Sequence, residues 1–369
     1  MEDGRAGGRY EALTSVRGLA AWWVVIYHFR DALVGAVPGL VMAVFDRGYL
    51  AVDMFFVLSG FVIGLNYRAW FQHAMTDRWV RFLGLRLARI YPLHLFMLLL
   101  YLVDPIAVFL WSSRGDLSQY PVGYFFQSLV LVQAWGLSPG AAWNVPAWSI
   151  SAEWLVYLLF PVIVFAAARV IRGPWSAIAW TALPLAALYL GPPLFATDLA
   201  TTIGSLAVVR CLLEFSAGFG VMHLRTMLAD RKSLSYAALV FGVIVLGLVV
   251  DHSLPDESAA IAFTALIFGL ADPTIMPARW MGGGGFLGRI LLTLGAISYS
   301  TYLCHFLIRS WVRFVLIGPG LNPVSAFVVY VAMTAVASPL LYLFIERPGR
   351  SWGRAVLGVQ PRAAMVTSQ

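Results

Sequence analysis

The sequence predicts an all-α protein, a polytopic transmembrane helical bundle. Its mean hydropathy is +0.81, 60% of its 369 residues are hydrophobic and only 12% are charged. Soluble domains are roughly 45–50% apolar and about 25% charged, so this composition indicates a bilayer protein. The apolar runs are about 20 residues long, which suits membrane-spanning helices rather than the alternating strands of about ten residues found in barrels.

About ten apolar runs follow one another along the chain. We place spans near 15–34, 48–66, 90–111, 148–168, 175–195, 205–224, 234–252, 258–277, 290–316 and 323–345. The segment 120–135 is also apolar, but it is short and precedes a loop that contains glycine and proline. Whether this segment crosses the membrane decides the orientation of everything after it.

The placement of the arginines favours the interpretation that segment 120–135 does not cross the membrane. In that case the arginine-rich loops lie on one side together with both termini, and the acidic loop 251–257 lies on the other. The positive-inside rule then predicts ten spans, cytoplasmic termini and an interfacial or re-entrant helix at 120–135. We expect residues 1–350 to form the transmembrane domain and 351–369 a short, disordered cytoplasmic tail.

The net charge of +7 is carried almost entirely by arginine. In a membrane protein such a basic excess usually reflects positively charged cytoplasmic loops. Basic stretches interleaved with exposed aromatic residues are not evident, so no nucleic-acid partner is expected. The two cysteines, Cys211 and Cys304, have neither zinc-site nor CxxC spacing. Each is therefore expected to act as a small buried hydrophobic residue.

The first span carries Arg17 at its entrance and His28 near its far end. Eleven residues make almost three helical turns, so both side chains share one face, roughly 16 Å apart along the axis. Ionisable groups in a bilayer usually face a partner or a watery cavity. Histidine also suits proton transfer near neutral pH. The pair therefore indicates a functional site.

Acidic residues near the beginnings of two other spans are further candidates. Asp53 lies a turn or more into the second span, where it needs a buried partner, and Arg17 and His28 are the nearest in sequence. An interfacial position also explains it. Ser149 and Glu153 are four residues apart at a helix start. Either Ser149 caps that helix and Glu153 is the favourable acidic residue of its first turn, or both join the site.

Arg86 and Arg89 are three residues apart and are therefore neighbours on one helical face. Guanidinium groups bind phosphate through two parallel hydrogen bonds. The pair is either an anchor on lipid headgroups or a site for a phosphate-rich cytosolic ligand.

Two polar patterns lie within later spans. Arg210 and Glu214 are four residues apart, which predicts a structural ion pair inside the membrane. The ninth span carries a polar stripe along one helical face: Ser298, Tyr302, His305 and Arg309. Such a stripe faces the bundle interior, where Tyr302 and His305 are either site residues or hydrogen-bonding contacts between helices.

These motifs, in this order, resemble the acyltransferase-3 family of integral-membrane O-acyltransferases. That family modifies bacterial surface glycans, nodulation factors and some macrolide antibiotics. The matching stretches run from the first span to the last, so the resemblance covers nearly the whole chain, with residues 1–350 as the acyltransferase-like domain. They are Arg17 to His28, Gly48 to Ile63, Arg86 to Pro92, Trp148 to Glu153, Gly295 to His305, and Glu346-Arg-Pro.

The resemblance implies transfer of an acyl group, commonly acetyl, from acyl-CoA to a hydroxyl, usually on a sugar. The expected partners are acyl-CoA, a glycan or other hydroxyl acceptor, and the lipid bilayer of the bacterial cytoplasmic (inner) membrane. Acyl-CoA is then the donor substrate, and neither a permanently bound cofactor nor a metal is expected.

Within that reaction, His28 is the candidate general base that removes the hydroxyl proton. Arg17, Arg86 and Arg89 are the candidate donor-binding residues. Asp53 or Glu153 would orient the imidazole, as the third group of a triad does. Ser149, Tyr302 and His305 are the remaining candidates.

Two alternatives stay open at this point. Transfer is expected to be direct, but a two-step route through an acyl-enzyme has serine candidates: Ser59, Ser149 and Ser298. The alternative from another class is a membrane carrier or flippase for a lipid-linked glycan or a small metabolite. It would use the same residue types, but it is disfavoured because the sequence shows no convincing half-chain repeats.

Overall fold

The computed structural model describes residues 10–71, 76–111, 117–138, 140–195, 203–229, 231–317 and 321–358. These residues form helices and loops, with no β-strand among them. The α-helices are α1 (Glu11–Phe29), α2 (Gly39–Asp46), α3 (Ala51–Tyr67), α4 (Thr76–Leu100), α5 (Val103–Trp111), α6 (Val122–Leu129), α7 (Trp148–Val170), α8 (Pro174–Phe195), α9 (Ser205–Met227), α10 (Lys232–Val250), α11 (Ser258–Leu270), α12 (Met276–Met281), α13 (Gly285–Ala296), α14 (Ser298–Val312), α15 (Pro323–Leu341) and α16 (Arg347–Val356).

Six helical segments of the described chain are long and apolar enough to cross a membrane, or seven if α13 and α14 form one span with a 67° bend. The predicted multi-pass helical architecture is thereby confirmed, while the count of ten spans and the cytoplasmic termini stay predictions. The six are Gly39–Phe71, Asp77–Leu110, Val145–Val170, Ser205–Met227, Lys232–Val250 and Pro323–Val356.

The ambiguous segment 120–135 contains a helix too short to cross. α6 has eight residues, about 12 Å of helix against a hydrocarbon core of about 30 Å. The chain then turns at Leu131, which has a positive φ of 60°, and hydrogen-bonds to α7 through Ser151. Ser151 Oγ donates to Leu131 O at 2.8 Å and accepts from Ala134 N at 3.1 Å. This short, folded-back geometry fits the interfacial or re-entrant helix that the arginine pattern predicts.

Glycine permits two close helix contacts that position polar residues. A Cβ on Gly60 of α3 would lie 1.9 Å from the Phe215 carbonyl oxygen, and one on Gly218 of α9 would lie 1.8 Å from that of Val57. The backbones of α3 and α9 therefore touch. This contact holds Asp53 of α3 beside Arg210 of α9, although 157 residues separate them in sequence.

The bend between α13 and α14 occurs at Ile297, beside a contact between α13 and α1. A Cβ on Gly295 would lie 1.9 Å from the Thr14 carbonyl oxygen, so only glycine permits this approach. At a helix end the last carbonyls lack helical partners. The Gly295 carbonyl is consequently available to a side chain of α1.

The predicted disordered tail is wrong for its first residues, because α16 continues to Val356. It packs along α4, where Gly353 lies against Ala88 and Gly349 against Pro92. Residues 359–369 of the predicted tail lie outside the described residues. Cys211 and Cys304 are both buried and unbridged, as expected.

Candidate active site

A cavity of about 170 Å³ lies between α1, α3, α4, α7 and α14. Five of the six sequence motifs contribute to its wall, and apolar residues of α3, α4 and α7 complete it. The polar lining residues are Arg17, Ser59, Arg86, Arg89, Ser149, Glu153, Tyr157, Ser298, Tyr299 and Tyr302. The structure therefore brings all three predicted donor-binding arginines together.

Arg17 is fixed by the helix break beside it. Its Nη2 donates to the Gly295 carbonyl at 2.7 Å, and its Nε donates to Ser298 Oγ at 2.9 Å. Both partners are neutral, so the positive charge of Arg17 is not cancelled by a contacting carboxylate. The guanidinium on the cavity wall is suited to an anionic ligand.

Arg86 and Arg89 line the cavity but are held differently. Arg86 donates to the Tyr67 hydroxyl at 2.7 Å and lies over that ring, 4.8 Å from its centroid. Arg89 forms an ion pair with Glu346, which is only 1% exposed. Arg350 approaches the same oxygen of Glu346, with its Nη1 3.5 Å from Oε1. The sixth sequence motif therefore contacts the cavity through Arg89.

Glu153 is on the cavity wall and accepts two hydroxyl hydrogen bonds on one oxygen. Tyr157 donates to Oε1 at 2.5 Å, and Ser59 donates to the same atom. The prediction that Glu153 orients His28 is not met, because its contacts are with these hydroxyls. The sequence does not show which helix faces α7, and here that helix is α3.

Ser149 is hydrogen-bonded to Tyr302 and does not cap α7. Its Oγ lies 2.9 Å from the Tyr302 hydroxyl and 3.1 Å from the Pro146 carbonyl, whereas α7 begins without a side-chain cap. The helix-capping interpretation is therefore wrong. Tyr302 lines the cavity, and its ring centroid is 5.9 Å from that of His305.

His28 and His305 form a pair beyond Tyr302 and do not line the cavity. His28 Nδ1 lies 3.2 Å from His305 Nε2 and 2.9 Å from the Val24 carbonyl. His305 is fully buried, and its Nδ1 lies 3.3 Å from the Thr301 carbonyl. As the eleven-residue spacing predicts, Arg17 and His28 face the same neighbouring helix, α14.

The hydrogen-bond network assigns the tautomers of this pair. A carbonyl oxygen can only accept, so Nδ1 carries the proton in both neutral rings. His305 Nε2 then accepts from His28 Nδ1–H. The remaining nitrogen of His28, Nε2, keeps its lone pair, which is the state that a general base requires.

Asp53 is neither beside His28 nor on the cavity wall. Its Oδ1 lies 2.5 Å from Arg210 Nη2, and Glu214 Oε1 lies 3.4 Å from Arg210 Nε. All three side chains are at least 95% buried. The predicted Arg210–Glu214 pair is confirmed, but the expected pairing of Asp53 with Arg17 or His28 is wrong, because the α3–α9 contact supplies Arg210 instead.

A family model described as an acyltransferase domain, Acyl_transf_3, matches residues 10–343. The chain belongs to this acyltransferase family. It is 29% identical to the acyltransferase MdmB of Streptomyces mycarofaciens, over 92% of this chain and 91% of that protein. It is 26% identical to the putative membrane-bound transacylase BcsY of Komagataeibacter xylinus, over 96% and 87%.

The O-acetyltransferase OatA of Staphylococcus aureus is 22% identical over 95% of this chain, which spans 58% of that longer protein. No solved structure matches the chain. The protein is thus an O-acyltransferase, and these relatives favour the enzyme over the carrier alternative.

Sequence reasoning missed three cavity contacts of this acyltransferase. Tyr157 follows Glu153 by four residues, a spacing that places both on one face and that was available as a signal. Tyr299 donates to the Ile90 carbonyl at 2.6 Å, which nothing in the sequence indicates. The pairing of Arg89 with Glu346 joins residues 257 positions apart, so only the folded chain reveals it.

Proposed function

We propose that this acyltransferase moves an acyl group, commonly acetyl, from acyl-CoA to a hydroxyl of a glycan or another polar acceptor. The observation that carries the proposal is the arrangement along one face of α1. Arg17 lies at the arginine-lined cavity, and His28 lies at the histidine pair roughly 16 Å away.

The cavity supports the binding of a phosphate-bearing donor. Arg17, Arg86 and Arg89 converge on it, and guanidinium groups pair strongly with phosphate. In acyl-CoA roughly a dozen bonds separate the pyrophosphate from the thioester sulfur, a reach of roughly 15 Å when extended. A donor held at the arginines can therefore present its thioester near His28.

His28 is proposed as the general base in a direct transfer. Nε2 removes the acceptor hydroxyl proton, and the oxygen forms a bond to the thioester carbonyl carbon. The carbon–sulfur bond then breaks, and the leaving thiolate receives the proton held by the imidazolium. During these steps His28 Nδ1–H stays hydrogen-bonded to Val24 and His305, which keeps the ring oriented.

The membrane arrangement belongs to the same proposal. Ten spans with both termini in the cytoplasm would place the arginine-lined cavity toward cytosolic acyl-CoA and His28 toward the outer leaflet of the bacterial cytoplasmic membrane. A topology reporter fused after Arg172 should be cytoplasmic. A reporter found outside would overturn this arrangement.

Labelled acetyl-CoA tests the proposed base. His28→Ala should abolish acetyl transfer to a glycan acceptor while the protein stays folded in membranes. His223→Ala is the matched control, because His223 lies at the end of α9, away from the cavity lining, and it should keep transfer. Full activity of His28→Ala would refute the assignment.

Mass spectrometry separates direct transfer from a two-step route. Incubation with acetyl-CoA and no acceptor should leave the intact protein mass unchanged. An added acetyl group on Ser59, Ser149 or Ser298 would show a covalent intermediate instead.

A further inference from the structure

The last helix of the described residues, α16, lies beyond the part of the chain that the family model matches, which ends at 343. It runs antiparallel along the middle of α4, over residues 84–92. Gly349 opposes Pro92, Gly353 opposes Ala88, and Leu357 opposes Gly84. A Cβ on Gly353 would lie 2.3 Å from that of Ala88, so this side of α16 is fixed against α4.

Arginines occupy the neighbouring side of α16. Arg347, Arg350 and Arg354 follow one another at steps of three and four, which places them on one helical face. Arg347 and Arg354 are exposed, and among the described residues neither forms an ion pair with a carboxylate. Their charges are therefore available to a ligand.

This arginine face begins at the rim of the cavity. Arg350 shares Glu346 with the cavity residue Arg89. The three arginines of this face span seven residue steps of α16, about 10 Å along its axis.

The cavity wall and the arginine face of α16 together carry a large excess of positive charge. Six arginines, three on the cavity wall and three on α16, are accompanied by two glutamates, Glu153 and Glu346. Trp352 is 71% exposed on the opposite flank of α16, together with Val356. Aromatic residues favour the membrane–water interface, so this flank suits lipid and leaves the arginine face toward water.

We propose that Arg347 and Arg354 bind the nucleotide phosphates of the acyl-CoA donor, as an extension of the cavity on α16. This inference rests on the proposed function, because acyl-CoA is the donor only in that proposal. The arginine face offers the chemistry that phosphate recognition needs, at a position continuous with the arginines of the cavity.

Equilibrium binding of labelled CoA tests the inference without any chemistry. The protein is placed in vesicles of neutral phosphatidylcholine, so that no anionic headgroup competes. The double variant Arg347→Gln/Arg354→Gln should raise the Kd for CoA about tenfold or more, since two charge-assisted contacts are lost. The matched control Arg169→Gln/Arg172→Gln, two exposed arginines at the end of α7, should bind like the wild type.

Turnover with a truncated donor provides a second test of the inference. Acetyl-pantetheine has no phosphate, so its KM should be the same in the double variant and the wild type, whereas the KM for acetyl-CoA should rise with the Kd. Equal CoA binding in the variant and the wild type would overturn the inference. An effect seen only in vesicles with anionic lipid would also overturn it, in favour of a headgroup site.

The two proposals fail in different ways. A wild-type protein that binds CoA through Arg347 and Arg354 but transfers no acetyl group would refute the proposed function alone. A wild-type protein that transfers acetyl, with a double variant of unchanged Kd and KM, would refute the α16 inference alone.

Discussion

The cavity and the Asp53 cluster contain the same residue types inside the bundle, yet they differ in what their charges contact. In the cluster, Arg210 lies between Asp53 and Glu214, and all three are buried. In the cavity, the hydrogen-bond partners of Arg17 and Arg86 within the described part of the chain are neutral, namely a carbonyl and hydroxyls. One set of charges is paired within the protein, and the other is left for a ligand.

This difference separates structural from functional charges. Removing one member of a buried ion pair leaves its partner uncompensated in a low-dielectric interior, so such residues matter for stability. An arginine held by neutral hydrogen-bond acceptors keeps its charge for an anionic substrate. Arg89 belongs to both classes, because it lines the cavity and also pairs with Glu346.

The largest effect is expected for Arg210→Met. It leaves Asp53 and Glu214 buried beside each other without a cation, which should lower the free energy of unfolding by about 3–5 kcal/mol. Denaturant unfolding in detergent measures this. Arg86→Met is the matched control, expected to unfold like the wild type while its KM for acetyl-CoA rises. Equal unfolding midpoints for both variants would remove the distinction between the two regions.

Arg89→Met should affect both properties. Loss of its pair with Glu346 is expected to lower stability by about 2–3 kcal/mol, because Glu346 is buried and keeps only Arg350 and Ser300. The KM for acetyl-CoA should rise as well. Adding Glu346→Gln should restore stability but not KM. If the second substitution restores both, Arg89 acts only through Glu346.

Asp53→Asn should lower stability by about 1–2 kcal/mol, because Arg210 keeps Glu214 as a partner. The kcat and KM of the folded protein should be unchanged, since Asp53 does not line the cavity. Steady-state kinetics on the purified folded fraction provide the measurement. A large fall in kcat would instead support the catalytic role that the sequence suggested.

Ser298→Ala should have the smallest effect. Arg17 loses one neutral hydrogen bond, worth about 0.5–1.5 kcal/mol, but keeps the Gly295 carbonyl. A KM change for acetyl-CoA within about tenfold, with unchanged unfolding, is expected. A larger change would mean that Ser298 contacts the donor directly.

The helical spacing predicted several contacts correctly. The Arg17–His28 step and the stripe from Ser298 to Arg309 both lie on the shared side of α1 and α14. Arg86 and Arg89 both reach the cavity, as their three-residue spacing indicates. These successes have one cause, namely that a periodicity of 3.6 residues sets which side chains share a helical face.

The sequence did not predict correctly which residues pair across helices. Asp53 is paired with Arg210 rather than with the first span, and His28 contacts His305 rather than a carboxylate. The residues involved are 157 and 277 positions apart. A helical period carries no information about which helix packs against a given face, so neither pairing was accessible from spacing.

Composition, apolar run length and motif order were sufficient to establish a multi-pass helical membrane protein of the acyltransferase family, because bilayer insertion depends on local hydropathy. Helix packing then determined which of its charged residues are paired with each other and which line the cavity. Close approach at Gly60, Gly218 and Gly295 placed Asp53 in an ion-paired cluster and Arg17 on the cavity wall. That division depends on distances between helices, which arise only when the chain is packed.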